Sequence, residues 1–285
     1  MPELPEVETI RRGLEKKIIG KTITDLEVRF PKTLQGDKSK VESYKVESIK
    51  RRAKVIAFGL SSGYYLLFHL KMTGQLIYID RNDQRFAGGH PDHNWHAKLP
   101  NSTTAIVFNF GDDTHLYFND MRKFGWCKVL TKEQLEKIFT QEYGLEPYDA
   151  EFTAEYLMSK AVKISNRNIK QFLTDQTIIA GIGNIYVDET LFEAKISPLR
   201  KVKDIQLSEW KKIISSVIMV LDKAIKYGGT TDSDYVDAEG KKGGMQNHLK
   251  VYHKTGEPCP GGCGGDIKRI TIGGRGTHYC PACQI

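Results

Sequence analysis

Four of the five cysteines, Cys259, Cys263, Cys280 and Cys283, fall inside the last 27 residues of a 285-residue chain. Their spacing is C-x3-C, sixteen residues, then C-x2-C, the pattern of a zinc ribbon. Gly261, Gly262, Gly264 and Gly265 crowd around Cys263, and glycine lets a backbone fold around an ion with its amides turned to the thiolates. A segment this short cannot bury a core, so one tetrahedral zinc ion would supply its folding free energy. Two disulfides would use the same four residues but need an oxidising compartment. The N-terminus, MPELPEVETI, carries Glu3, Glu6 and Glu8 where a secretory signal would have a basic segment leading into an apolar one. A cytoplasmic location is therefore expected. Cys127, alone in GWCKVL, is expected to be a buried core thiol.

Ahead of the ribbon the pattern changes twice. Val7, Ile10, Leu14 and Ile18 recur at three and four, the stripe of an amphipathic helix. Short β-rich runs follow: TITDLEVRF, AKVIAFGL, YYLLFHLKM, QLIYID, TAIVFNF, HLYFND and GWCKVL. Turn signals such as Ser61-Ser62-Gly63 separate them, so residues 20–130 read as an antiparallel sandwich or barrel, with 81–104 as a long loop. From about 132 to 228 helical periodicity takes over, clearest in Trp210, Ile213, Ile214, Val217, Leu221 and Ile225. The polar, Gly-rich stretch 228–244 has the composition of a loop. The expected organisation is an α+β multidomain chain: an antiparallel β-sandwich domain over 1–131, a helical domain over 132–244 and a zinc-binding segment over 245–285.

Charge points to a polyanionic partner. Lys and Arg number 42 against 35 Asp and Glu, a net +7, and from residue 241 onward seven cations face only Glu257 and Asp266. No run approaches the ~18 apolar residues of a membrane span. His90, His93 and His96 are three apart, but Gly88, Gly89, Pro91 and Pro100 argue for a loop there and against a metal site. Gly181-Ile182-Gly183-Asn184 lacks the third glycine and the preceding strand of a dinucleotide fingerprint, and reads as a tight turn with Asn184 opening a helix. Removal of Met1 would leave Pro2 with a free secondary amine, and an α-amino group titrates near ~7.7–8.0. Such an amine attacks a sugar aldehyde carbon to give a cationic iminium, an electron sink for elimination of a neighbouring group. Glu3 beside it could donate or accept the proton.

Six segments, in order from residue 2 to residue 284, resemble the bacterial formamidopyrimidine-DNA glycosylase family. They are MPELPEVETIRRGL, HLKMTGQL, NDMRKFGW, IKQFLTDQTIIAGIGNIYVDE, MQNHLKVYHKTGEPC and GGRGTHYCPACQ. Leu4-Pro5 resembles the purine-lesion branch, because the endonuclease VIII branch usually has Gly before that proline. The resemblance implies that the helical domain is of the helix–two-turn–helix kind. It also implies a bifunctional DNA glycosylase and abasic-site lyase of base excision repair, acting as a monomer on double-stranded DNA that holds oxidised purines, 8-oxoguanine and formamidopyrimidines, or abasic sites.

Residue by residue, the resemblance makes Pro2 the Schiff-base nucleophile, Glu3 the catalytic acid and Glu6 a supporting carboxylate. Lys54 matches the lysine that acts in β-elimination and touches phosphate, and Arg275 the ribbon arginine that grips the lesion's phosphates and assists δ-elimination. Met72, Arg122 and Phe124 match the side chains that fill the gap left by the extruded nucleotide, with Lys123 an alternative phosphate partner. Extrusion is required because the sugar C1′ cannot be reached inside the stack. Lys170 and Asn184 fall at positions that bind backbone phosphate, and Asn166 and Arg167 join them as DNA-binding residues. Several positions depart from the pattern. The first cysteine pair has three residues between its members where two is usual, Ser102-Thr103 replace a Lys-His pair, and Asn166 stands where lysine is common, with Arg167 next to it. The capping loop TTDSDYVDAEG lacks the basic residue often found there, which leaves base preference open. The alternatives are the same fold acting on oxidised pyrimidines, or a damage-binding protein without catalysis.

Overall fold

The computed structural model describes residues 1–89, 97–230 and 243–285, which divide into two units: Met1–Thr140 with Ile225–Gln246, and Gln141–Ala224 with Asn247–Ile285. In the first, helix α1 (Leu4–Ile18) precedes ten strands: β1 (Thr22–Val28), β2 (Leu34–Gln35), β3 (Tyr44–Arg52), β4 (Val55–Leu60), β5 (Tyr64–His69), β6 (Gly74–Ile79), β7 (Arg85–Gly89), β8 (Thr104–Phe110), β9 (His115–Asp120) and β10 (Trp126–Thr131). The strand order is β2-β10-β5-β4-β3-β1-β8-β9-β6-β7. Only Thr22↔Lys45 and Ile23↔Tyr44 join β1 to β3, so the order folds there into two layers of five. Their inner faces meet through Phe68, whose ring lies edge-on to Phe108 and to Phe118, each at 5.7 Å. Every pairing is antiparallel except β2 with β10. This is the sandwich the alternation implied, and α1 packs against it on Leu4, Val7, Ile10, Leu14 and Ile18. Full burial of each such side chain favours the fold by ~1.5–3 kcal/mol.

Two strands differ from the sequence reading. Residues 81–104 are not wholly a loop, because β7 pairs with β6 from Gln75↔Gly89 to Ile79↔Arg85. Its glycines are a packing requirement: a Cβ on Gly88 would stand 2.4 Å from Ile10 of α1, and one on Gly89 (φ +128°) 2.2 Å from the Gly74 carbonyl. Strand β3 escaped the alternation test because a bulge between Val46 and Ser48 spaces its buried residues, Val46 and Ile49, three apart. His90, His93 and His96, and the capping loop beyond Thr230, lie outside the described residues.

Helix α2 (Lys132–Gln141) closes the long first stretch of that unit. The second unit holds α3 (Ala154–Ala161), α4 (Ile169–Leu173), α5 (Asn184–Ala194), most of α6 (Leu207–Lys226), and the hairpin of β11 (Lys268–Ile272) and β12 (Arg275–Tyr279). Trp210, Ile213, Val217 and Leu221 form the buried stripe of α6, and the Trp210 ring lies 5.3 Å from Phe172 of α4. No helix among the described residues is long and apolar enough to cross a membrane.

Candidate active site and nucleic-acid interface

In the first unit the chemistry gathers at the start of α1. Pro2 and Glu3 are buried just ahead of the helix, Glu3 is its N-cap, and Pro5 occupies the first turn. The Glu3 N–H donates to Glu6 Oε2 at 2.8 Å, half of a capping box in which Glu6 closes the turn from inside. The other oxygen of Glu6 accepts from the Thr230 N–H at 2.8 Å and the Thr230 hydroxyl at 3.1 Å. Gly229 (φ +81°) permits that approach, since a Cβ there would lie 2.7 Å from Glu6 Oε1. One carboxylate thus ties the residue after Pro2 to the stem of the stretch that follows α6.

Lys54 is buried in the two-residue turn between β3 and β4, beside Ala53, whose φ of +53° is a left-handed value usually left to glycine. Arg51 holds that turn from two sides, donating to the Ala53 carbonyl and, at 3.2 Å, to Glu8 of α1. The salt bridge registers the end of β3 against the helix that begins at Glu3. His69, at the end of β5, was not singled out in the sequence. Burial, then the charges of Lys71 and Lys54, push its imidazole down to about 3. Its Nδ1 accepts the Lys71 N–H at 2.9 Å, so the neutral ring carries its proton on Nε2. A histidine at a strand end carries no local signal of this kind, because the burial that dominates comes from the rest of the fold.

Met72, Arg122 and Phe124 are exposed on two loops, and not in the core as apolar residues in strand-rich sequence could be. Met121, unremarked in the sequence, is exposed with them. The Arg122 guanidinium lies over the Phe124 ring at 4.7 Å, and Lys123 Nζ over Phe30 at 3.8 Å. Asp120, also missed, organises both loops: Oδ1 accepts from the Thr73 hydroxyl and the Arg122 N–H, and Oδ2 from the Gly125 N–H at 2.6 Å. The available signal was local, an aspartate just ahead of a loop that closes on glycine.

In the second unit Ile272 pairs with Arg275 across Gly273 (φ +57°) and Gly274 (φ +75°), a two-residue turn that needs left-handed backbone at both positions. Arg275 is exposed at its end. Behind it Lys170 Nζ donates to Asp188 Oδ1 at 2.6 Å and to the Gly276 carbonyl at 3.0 Å, and Asn184 Nδ2 donates to the same carbonyl at 3.0 Å. Asp188 Oδ2 takes the His278 N–H at 2.8 Å. The Lys170 and Asp188 side chains are 1% and 0% exposed. The Lys170 ammonium, expected at a backbone phosphate, is here buried on a carboxylate and bonded to the carbonyl next to Arg275 in the hairpin. Asn166 and Arg167 are exposed, with Arg167 on Asp175 at 3.0 Å. Arg167, Gln171, Asp175 and Arg275 contribute to the wall of a cavity of about 360 Å³.

The four ribbon sulfurs lie within 4.8 Å of one another, with Cys259–Cys283 and Cys263–Cys280 both at 3.5 Å. Tetrahedral Zn–S bonds of ~2.3 Å space sulfurs about 3.8 Å apart, whereas a disulfide needs ~2.05 Å. All five cysteines are free thiols, Cys127 inside the core with its thiol pushed up by burial. The set fits one structural zinc ion.

Comparison with known proteins agrees with this geometry. The chain is 38% identical to a formamidopyrimidine-DNA glycosylase of Bacillus cereus over 291 residues, covering 100% of this chain and 99% of that protein. The chain belongs to the formamidopyrimidine-DNA glycosylase family. Family models match the formamidopyrimidine-DNA glycosylase N-terminal domain over residues 1–127, its H2TH domain over 143–236, and a zinc finger found in FPG and IleRS over 256–285. A Streptococcus pneumoniae formamidopyrimidine-DNA glycosylase is 39% identical over 289 residues, 100% of this chain and 99% of its own. Among solved structures, Lactococcus lactis Fpg bound to DNA containing an abasic site superposes with a TM-score of 0.87 at 35% identity, over 99% of each chain. A mutant of that enzyme bound to Fapy-dG-containing DNA matches equally well. The family's three parts account for the sandwich, the helical unit and the four-cysteine zinc finger.

Proposed function

We propose that this chain is a DNA glycosylase and abasic-site lyase of base excision repair that removes oxidised purines from duplex DNA through Pro2. The observation that carries the reading is the start of α1, where Pro2 precedes an N-cap glutamate locked by Glu6 within a chain of full-length family identity. With Met1 removed, the Pro2 nitrogen attacks C1′ and the damaged base leaves with a proton supplied by Glu3; the nitrogen then gives up its own proton and the C1′–O4′ bond opens with O4′ protonated, so that a cationic iminium joins protein to the ring-opened sugar. Loss of a C2′ proton then expels the 3′ phosphate, with Lys54 beside that phosphate, and a second elimination, assisted by Arg275, expels the 5′ phosphate. Met72, Arg122 and Phe124 fill the space of the extruded nucleotide, and Lys123, Asn166, Arg167 and Asn184 serve the flanking backbone. Lys170 positions Arg275. This reading places the chain in the cytoplasm with nucleoid DNA as its partner.

Borohydride added during reaction with an 8-oxoguanine duplex should link protein to DNA covalently, and Pro2→Gly should abolish the adduct. If Pro2→Gly trapped and cleaved as well as the parent, another amine, with Lys54 the first candidate, would be the nucleophile. Intact mass of the protein from its native host should show the loss of one methionine, and an unprocessed Met1 would exclude the amine chemistry.

A further inference from the structure

The zinc finger is held by more than four sulfurs. Lys195 ends α5 in the left-handed region, at φ 61° and ψ 33°, where helices ordinarily place glycine. A non-glycine residue is disfavoured there unless its side chain contributes something. Its carbonyl and those of Ile196 and Ile285 join the helix end to the last residues of the chain: Ile285 N–H donates to Lys195 O, Gln284 Nε2 to Ile196 O, and Ser197 N–H to Ile285 O.

The Lys195 side chain reaches back over the Phe192 ring, with Nζ 4.2 Å from its centroid. Phe192 packs with Cys259, Cys280 and Cys283. The point that a Cβ on Gly261 would occupy lies 3.0 Å from Cys283 Sγ, 3.4 Å from Cys259 Sγ and 3.2 Å from Lys195 Nζ. The ammonium therefore faces the first zinc knuckle across a glycine. Gly261 belongs to the lengthened C-x3-C pair, and its N–H donates to Cys259 Sγ at 3.4 Å. A side chain at Gly261 would crowd both the ammonium and the two sulfurs. Zn2+ with four thiolates carries two net negative charges, which nearby donors and cations must offset.

We propose that Lys195 is an outer-sphere residue of the zinc finger, its ammonium offsetting the charge of the four-thiolate site across Gly261. The proposal rests on the zinc finger itself, so zinc content of the parent is measured first; a metal-free parent would refute that reading independently. Zinc affinity of the full chain is then read by competition with a chromophoric chelator. Lys195→Gln should weaken it about 10-fold, the low end for loss of an outer-shell partner, and Lys195→Arg should keep it near the parent value. The loss in Lys195→Gln should shrink between ~0.02 M and ~0.5 M salt, as screening requires. Lys195→Gly separates charge from backbone: relief at the left-handed position should preserve or raise the thermal midpoint of the zinc-saturated protein while zinc affinity falls as in Lys195→Gln. Unchanged affinity in the Gln and Gly variants would overturn the proposal. Equal weakening in Gln, Gly and Arg variants would overturn it too, assigning the effect to packing on Phe192.

Discussion

Replacing Lys170 by methionine separates the two roles open to that residue. In the structure its ammonium is paired with Asp188 at 2.6 Å, both side chains essentially unexposed, and it also bonds the Gly276 carbonyl. Methionine keeps the bulk and removes the charge, leaving Asp188 buried with the His278 N–H as its one strong remaining donor. Breaking a buried pair from one side costs about 3–5 kcal/mol, and the surviving His278 bond places the expected loss near ~3 kcal/mol, a large part of the ~5–15 kcal/mol that stabilises a domain. Asp188→Asn alone should cost a similar amount by stranding the ammonium. The double variant should be at least ~1 kcal/mol more stable than the sum of single losses implies, because no buried charge is left. Urea unfolding followed by Trp210 fluorescence reads the right unit, since Trp210 is buried against α4, the helix that carries Lys170. A phosphate contact makes the opposite forecast: stability within ~0.5 kcal/mol of the parent and a salt slope of DNA affinity shallower by about 1. Lys170→Met giving that second result would refute the buried-pair argument and restore the residue to the DNA surface.

Other perturbations test the rest of the site. Cys280→Ser should release zinc and abolish duplex binding while the first unit stays folded; one zinc per chain retained in that variant would contradict the four-cysteine assignment. His69 is held down to about 3 while the unfolded histidine titrates near 6.5. The unfolded chain therefore takes up the proton first as pH falls, and the stability from this group is complete above about 6.5 and lost towards 3, at up to ~1.4 kcal/mol per pH unit. His69→Phe should flatten that slope in urea titrations read by Trp126, whose ring lies 5.5 Å from His69, and an unchanged slope would show that burial does not keep the ring neutral. Arg275→Ala should lower the salt slope by about 1 equally for damaged and intact duplex. Arg122→Ala should keep the slope and lose lesion preference, and the reverse pattern would exchange Arg122 with Lys123.

What the sequence determined alone is what is encoded within a few residues of itself. The cysteine spacing specified the metal site, because ligand geometry at a knuckle is set by two or three intervening residues. The stripe of α1 and the alternation of most strands specified a sandwich followed by helices, because burial repeats with the period of the backbone. Pro2 and Glu3 were legible as neighbours, an amine beside a carboxylate once Met1 is removed, while the roles proposed for them came from the family resemblance. Tertiary structure decided the rest. It made Arg85–Gly89 a strand, because Gly88 and Gly89 are spaces for α1 and the Gly74 carbonyl and not turn signals. It buried the Lys170 ammonium on a carboxylate 18 residues away and a carbonyl 106 residues away. It gave Asp120 two loops to hold and His69 the burial that keeps its ring neutral. A charge on a helix reads the same in sequence whether it faces water or a buried partner, and only packing removes the water that distinguishes the two.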